Sequence, residues 1–65
     1  TIVFTPKIIY IFECKIKGTP ASAIKQIQEK NYALPYLNSG KEILLVGIKF
    51  NTTKKNIDGV KWMEI

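Results

Sequence analysis

The 65-residue chain has no histidine, no arginine and a single cysteine, and each absence removes a class of chemistry. Without histidine there is no Ser-His or Cys-His nucleophile and no imidazole general base. Cys14 alone cannot form an internal disulfide, and without histidine a structural zinc site lacks ligands. Without arginine there is no bidentate guanidinium clamp on phosphate or carboxylate. Carboxylates, lysines, hydroxyls and the backbone remain for chemistry.

Long apolar runs are also missing. The longest, 8–12 and 43–48, are far shorter than the ~18 residues that a membrane-spanning helix requires, so we expect no membrane association. No secretory leader pattern opens the sequence, and one free cysteine inside an apolar stretch indicates a reducing, cytoplasmic setting. Because the sequence starts at Thr1 within an apolar stretch, we expect it to be a piece of something longer.

The charge balance is basic. Ten lysines against five acidic residues give a formal net charge of +5. Such a bias favours polyanionic partners such as DNA or RNA. A lysine-rich surface that serves only solubility explains the same numbers.

Strand and helix signals alternate along the chain. Thr19 and Pro20 are typical of a helix N-cap and first helical position, and Asn31 can close the helix in a left-handed conformation. The helical periodicity predicts a buried stripe of Ala21, Ile24, Ile27, Gln28 and Asn31, with Ala23 at its margin and Lys25, Gln26 and Glu29 facing away. We predict strands at 1–4, 8–17, 42–50 and 60–65, a helix at 20–31, and a polar loop at 51–59 that ends in an Asp58-Gly59 turn.

This order predicts an α+β or α/β fold of the β-β-α-β-β type, with a mixed four-stranded sheet and one helix on one face. The strands at 8–17 and 42–50 should be parallel and joined by a right-handed crossover, and the outer strands should add by antiparallel pairing. One helix covers only one face, so an apolar face remains open. We expect a homodimer or higher oligomer, with domain swapping as one route, or association with the missing part of the domain, to cover it.

The strongest candidate for a catalytic motif is the triplet Glu13-Cys14-Lys15. Residues two apart in a strand point to the same face, so Glu13 and Lys15 project together and Cys14 points away. A carboxylate beside an ammonium can hold Mg²⁺ and a phosphate, with the lysine positioning water and neutralising charge. The triplet alone is a weak signal, because ordinary solvation of a strand end produces it equally well.

The surrounding sequence makes the signal more specific. The segments TPKIIYIFECK, AIKQIQEKNYALPY and ILLVGIKF followed by NID, in this order, resemble the carboxy-terminal PD-(D/E)XK nuclease-like domain of bacterial proteins that also carry an AAA-ATPase-like domain. The resemblance spans essentially the whole chain. It implies a restriction-endonuclease-like αβββαβ core and a Mg²⁺- or Mn²⁺-dependent phosphodiester-hydrolase site.

The resemblance also assigns residues. It implies that Glu13 is the motif carboxylate and a metal ligand, that Lys15 is the motif lysine, and that Gln26 matches a helix glutamine near the metal. An exposed glutamine without any function fits Gln26 as well. The motif aspartate would fall immediately before Thr1, and the first helix and first strand of the core are absent. We therefore interpret residues 1–65 as a single partial domain that binds metal weakly and is inactive alone. Glu42 and Asp58 are poor substitutes for the aspartate.

The remaining candidates concern nucleic acid. Tyr32 and Tyr36 suit stacking on bases or lining a cleft, although aromatics after a helix commonly pack over a sheet edge. Lys54, Lys55 and Lys61 suit contacts to the phosphate backbone, although a solvated loop explains them too. Trp62 is interpreted as a core or interface anchor.

Three functions remain open from the sequence: a nuclease-like domain, a non-catalytic interaction module, and a nonspecific nucleic-acid binder. The first requires cleavage that depends on Glu13 once upstream residues are present. The third requires an affinity for DNA that falls steeply with salt.

Overall fold

A computed structural model describes all residues from Thr1 to Ile65, and it contains one mixed sheet and one α-helix. The sheet order is β1-β2-β3-β4, with β1 and β4 antiparallel to their neighbours and β2 parallel to β3, which confirms the predicted topology. The elements are β1 (Ile2–Phe4), β2 (Ile8–Lys15), α1 (Pro20–Glu29), a single 3₁₀ turn (Leu34–Tyr36), β3 (Glu42–Asn51) and β4 (Asn56–Glu64).

The core lies between α1 and one face of the sheet. Strand residues that are two apart share a face, and the odd-numbered positions of β2 and β3 face the helix. Here Ile9 pairs with Ile43 and Ile11 pairs with Leu45 across the parallel ladder. These four side chains are buried together with three from α1: Ala23, Ile24 and Ile27.

The helix begins where the sequence predicts. Thr19 is the N-cap: its hydroxyl accepts a hydrogen bond from the Ser22 amide (3.1 Å), and the Ser22 hydroxyl accepts one from the Thr19 amide (2.9 Å). This reciprocal pair satisfies two of the amides that the first helical turn leaves free. Pro20 occupies the first turn, where its missing N–H costs nothing.

Gly47 sets how closely α1 lies on the sheet. A Cβ at this position would come within 2.1 Å of the Pro20 carbonyl oxygen and 3.1 Å of the Ala23 Cβ. The absent side chain therefore allows the helix N-terminus to rest directly on β3.

Several element ends differ from the predicted ones, and β1 and β3 differ by only one residue each. β2 ends at Lys15 rather than Lys17, and Gly18 follows with φ of 112°. α1 ends at Glu29 rather than at residue 31, although Asn31 does adopt the left-handed conformation with φ of 55°. Bulky side chains rarely take that conformation, which explains why an asparagine stands there.

The largest correction concerns β4. It starts at Asn56 instead of Val60, so the polar loop shrinks to Thr52–Lys55. The predicted Asp58-Gly59 turn is wrong, because both residues lie in β4. Lys49 pairs with Gly59 and Phe50 with Ile57, so Asp58 is the extra residue of a β-bulge. Backbone pairing with β3 thus overrides the polar composition that suggested a loop.

The predicted helix stripe is also partly wrong. Ala23, which the periodicity puts at the margin of the stripe, is fully buried, whereas Ala21 and Gln28, which it puts inside the stripe, are exposed. Because α1 approaches the sheet closely at Gly47, Ala23 packs directly against β3. The buried side of the helix is therefore centred nearer to Ala23 than the periodicity predicts.

No helix of the structure is both long enough and apolar enough to cross a membrane.

Candidate active site

Glu13 and Lys15 lie on the helix side of β2, at the end where the strand leaves the core. Ile9 and Ile11 on the same side are buried, Glu13 and Lys15 are half-buried, and Cys14 between them is exposed on the opposite face. The expected alternation is therefore present. Because β2 passes from buried apolar residues to half-buried charged ones, Glu13 and Lys15 lie at the boundary between core and solvent.

Glu13 lines a small cavity. This cavity has a volume of about 290 Å³ and lies between the start of β1, the end of β2 and the segment after α1. Its lining residues are Thr1, Ile2, Ile11, Phe12, Glu13 and Tyr32. Glu13 contributes the only carboxylate, and Thr1 and Tyr32 are the other lining residues with a polar side-chain group.

The Glu13 carboxylate has no protein partner. It accepts no hydrogen bond, and the ion pair of the molecule joins Lys25 to Glu29 at 3.8 Å on the outer face of α1. Glu13 and Lys15 are therefore not paired with each other. Both are free to bind a ligand from solution.

Gln26 is half-buried, so the prediction that it faces away from the sheet is wrong. Two residues later, Gln28 donates a hydrogen bond from Nε2 to the Met63 Sδ of β4 (3.5 Å). Successive helical positions turn by 100°, so a residue two earlier points about 200° away. Gln26 therefore lies on the β2 side of α1, but it is not among the residues that line the Glu13 cavity.

Lys49, and Lys61 already considered as a phosphate contact, share the sheet rows of Glu13 and Lys15. Lys49 pairs with Lys15 across the β2–β3 ladder, and its Nζ donates to the Ile16 carbonyl. Gly47 pairs with both Glu13 and Lys61, so Lys61 lies in the Glu13 row, two strands away. Neither position is visible in the sequence, because strand register depends on long-range pairing.

The two tyrosines differ in their surroundings. Tyr32 is 40% exposed, lines the Glu13 cavity and has the Lys30 Nζ 5.9 Å from its ring centroid. Tyr36 is half-buried and packs edge-to-face on Phe4, with ring centroids 5.4 Å apart. Tyr32 is thus free to meet a ligand, whereas Tyr36 packs over the sheet edge.

The other charged candidates lie around this end of the sheet or away from it. Lys54 and Lys55 are exposed in the β3–β4 turn, which extends past the Lys15–Lys49 row. Asp58 sits in the β4 bulge, and Glu42 pairs with Ile8 at the opposite end of β3. No three acidic, cysteine or histidine side chains converge anywhere in the structure. Glu13 is the one carboxylate among the residues that line its cavity.

Comparison with known families decides how this arrangement is classified. The family model of the PD-(D/E)XK nuclease superfamily matches residues 2–60. The chain belongs to this superfamily. No curated protein and no solved structure matches it. Glu13 and Lys15 of β2 lie within the residues that this family model matches, and Glu13 lines the cavity.

Superfamily nucleases generally use divalent metals, and the residues present offer part of such a site. Mg²⁺ is commonly held by one or two carboxylates together with water and substrate phosphate. Glu13 supplies one free carboxylate at a cavity that is otherwise lined mainly by apolar residues. The residues present therefore supply a single protein ligand, the Glu13 carboxylate, to a hydrated divalent ion.

Proposed function

We propose that this chain is the carboxy-terminal part of a metal-dependent phosphodiester-hydrolase domain that acts on DNA or RNA. Support comes from its superfamily and from the unpartnered Glu13 carboxylate at the cavity rim. We also propose, from the resemblance alone, that the domain accompanies an AAA-ATPase-like domain.

The main support for the proposal is the register of β1 against β2, because it indicates where a second acidic metal ligand would lie. The amide of Phe12 donates to the Thr1 carbonyl (2.8 Å), and the Thr1 nitrogen donates to the Phe12 carbonyl (3.2 Å). Ile2 then pairs with Ile11 on the helix side. In a longer protein that continues this ladder, the residue preceding Thr1 lies directly opposite Glu13.

That position is well suited to a shared metal ligand. Antiparallel partners lie on the same face, and pairs that follow a hydrogen-bonded pair approach most closely, with Cα atoms about 4.5 Å apart. An aspartate preceding Thr1 would therefore place its carboxylate beside that of Glu13. This is the position that the resemblance assigns to the motif aspartate.

In the proposed mechanism Glu13 holds a divalent ion at the cavity. The bound ion would polarise a phosphoryl oxygen and lower the pKa of a coordinated water. The Lys15 ammonium lies on the same face, where it neutralises charge that develops on the phosphate and orients the attacking water. Gln26 faces the same side from α1 and supplies an amide for a hydrogen bond to that water or phosphate.

Contacts to the rest of the nucleic acid are proposed for the lysines and tyrosines of this end. Lys54 and Lys55 project from the β3–β4 turn, and Lys61 is exposed on the helix side of β4. Such lysines bind the phosphate backbone without sequence preference. Tyr32 is placed to stack on a base next to the cavity, and Tyr36 would contribute only its outer edge.

The decisive experiment adds the missing ligand. We expect the chain extended by one aspartate ahead of Thr1 to bind Mn²⁺ at least about tenfold more tightly than the same chain extended by asparagine. Glu13→Gln should abolish the difference, because both carboxylates are required. Titration followed by electron paramagnetic resonance of free Mn²⁺ measures the affinities directly.

Cleavage is then tested in the protein that contains this chain with its native upstream residues. Glu13→Gln and Lys15→Ala should each lower Mg²⁺-dependent cleavage of DNA or RNA by about 100-fold or more. Glu42→Gln is the matched control, because it removes a carboxylate at the far end of β3. Equal Mn²⁺ affinity of the two extended chains, together with unchanged cleavage by Glu13→Gln, would refute the proposal.

A further inference from the structure

Most of the positive charge of the chain lies at one end of the sheet, where β2 and β3 finish. Of the five acidic residues, Glu42 and Glu64 lie at the opposite end of the strands, and Glu29 belongs to the ion pair on the outer face of α1. Glu13 and Asp58 are the acidic residues that remain at the lysine-rich end. A polyanion is therefore favoured at this end. Six of the ten lysines lie there, on the strand ends, the segment after β2 and the β3–β4 turn: Lys15, Lys17, Lys49, Lys54, Lys55 and Lys61.

Lys49 lies directly beside Lys15 on the neighbouring strand. The two residues pair across the β2–β3 ladder, and both project to the helix side of the sheet. Adjacent strands are ~4.8 Å apart, so the two side chains start from neighbouring positions. Like charges in such positions repel each other, and no carboxylate lies within ion-pair distance of either lysine. An anion bound from solution would relieve this repulsion.

The Lys49 side chain is held along the end of β2 before any ligand binds. Its Nζ donates to the Ile16 carbonyl, which follows Lys15 in the chain. An ammonium group has three N–H donors, so two remain for a ligand. Lys49 is half-buried, and part of its conformational freedom is therefore already lost. Its ammonium lies past the Lys15 backbone, on the side away from Glu13.

The separation of Lys49 from Glu13 indicates which phosphate it can reach. Lys15 lies two residues beyond Glu13, or ~6.6 Å along the strand, and the Ile16 carbonyl lies farther still. A Mg²⁺ ion would lie only ~2.1 Å from the Glu13 carboxylate and from the phosphate oxygen that it binds. Because Lys49 is directed to Ile16 and away from Glu13, an anion at its ammonium is a different group from the phosphate at the metal. In a nucleic-acid strand that group is the next phosphate along.

The start of α1 blocks the other route across the sheet. In the Glu13 row, a Cβ at Gly47 would lie 2.1 Å from the Pro20 carbonyl oxygen, so the helix fills the space over β3 there. Pro20 also covers Gly59 on β4, where an added Cβ would lie 3.2 Å from its Cγ. A strand that leaves Glu13 on the helix side therefore passes over the Lys15–Lys49 row toward the exposed β3–β4 turn.

We propose that Lys49 binds the phosphate next to the scissile one, and that the substrate strand runs from Glu13 past Lys49 toward the β3–β4 turn. The substrate is then a nucleic-acid strand with a charged phosphate on this side of the cleaved bond, rather than an isolated phosphodiester. This inference rests on the proposed function, because it takes Glu13 as the metal site. Lys49 contacts the substrate away from the reacting atoms, so it governs substrate binding and leaves the chemical step unchanged.

The first test measures binding without cleavage. Fluorescence anisotropy gives the affinity of the chain for a fluorescein-labelled oligothymidylate in EDTA at several salt concentrations. Lys49→Ala should weaken binding about two- to fivefold and reduce the slope of log affinity against log salt by ~0.7, the value of one phosphate contact to a single strand. Lys49→Arg should restore most of both. Lys41→Ala is the matched control, because Lys41 Nζ also donates to a backbone carbonyl, that of Thr5 (3.1 Å), at the opposite end of the sheet.

The second test locates the contacted phosphate in the protein that contains this chain with its native upstream residues. Oligonucleotides that carry one uncharged methylphosphonate linkage, on either side of the cleaved bond, are compared with the all-phosphate oligonucleotide. For the parent protein, one of the two neutral linkages should raise KM about two- to fivefold and change kcat by less than about twofold. In Lys49→Ala, whose KM is already raised, that linkage should cause no further rise, because the lysine and the phosphate are partners.

The outcomes separate this inference from the proposed function. A Lys49→Ala protein that binds and cleaves like Lys41→Ala would overturn the inference, and so would a neutral linkage that affects the parent and Lys49→Ala proteins equally. A fall in kcat as large as that of Lys15→Ala would also overturn it, because Lys49 would then act on the chemical step. Weaker oligothymidylate binding by Lys49→Ala without any Glu13-dependent cleavage would refute the nuclease function and the neighbouring-phosphate role, while the contact of Lys49 with the nucleic-acid backbone would stand.

Discussion

Gly47 is the residue that decides how closely α1 lies on the sheet. We expect Gly47→Ala to destabilise the fold by about 1–3 kcal/mol, because the new Cβ would overlap the Pro20 carbonyl and overpack the helix contact. Gly59→Ala is the comparison, since its nearest neighbour is the Pro20 Cγ at 3.2 Å and a small shift of the ring relieves it. Urea unfolding followed by Trp62 fluorescence measures both, and an equal effect of the two variants would contradict this account.

Gln26 is a residue whose burial the pattern of apolar residues does not predict. Apolar periodicity favoured a stripe through Ala21 and Gln28 and turned Gln26 toward solvent. The structure places Ala23 at the centre and leaves Gln26 half-buried on the β2 side. Alanine is only weakly apolar, so alanines in the sequence say little about which side of a helix is buried. The rotation of α1 about its own axis depends instead on the space left at Gly47, a residue far away in the sequence.

At the scale of elements, the helix start is encoded locally. We expect Thr19→Ala to cost about 1 kcal/mol of unfolding free energy, because the Ser22 amide loses its hydrogen-bond acceptor and the capping box opens. Thr53→Ala, in the exposed β3–β4 turn, is the matched threonine control and should cost less than about 0.5 kcal/mol. Thermal or urea unfolding distinguishes them, and equal stability of both variants would argue against the cap.

β4 illustrates the opposite case among the elements. Asn56 and Asp58 near its start are polar and Gly59 follows them, which favours a loop in isolation. Pairing of Asn51 with Asn56 and Phe50 with Ile57 nevertheless extends the ladder, and the bulge at Asp58 absorbs the extra residue. A strand that gains its hydrogen bonds from a neighbour needs little propensity of its own.

The whole molecule is two layers thick, and its smallest dimension is 15 Å. Only 8 of 65 residues are buried, so the single core has little reserve of stability.

The sequence alone determined everything that depends on near neighbours along the chain. Alternation placed Glu13 and Lys15 on one side and Cys14 on the other, Thr19 and Pro20 started the helix, and the order of elements led to the mixed sheet. These features follow from backbone geometry within a few residues, so the local pattern is sufficient.

Only the tertiary structure decided which side chains share a row of the sheet. Contacts between distant segments determine three features that the sequence does not show. These are the pairings of Lys15 with Lys49 and of Gly47 with Lys61, the rotation of α1 that leaves Gln26 half-buried, and the start of β4 at Asn56. Strand register and helix rotation are chosen jointly by the packing of the core, and no short stretch of sequence contains that information.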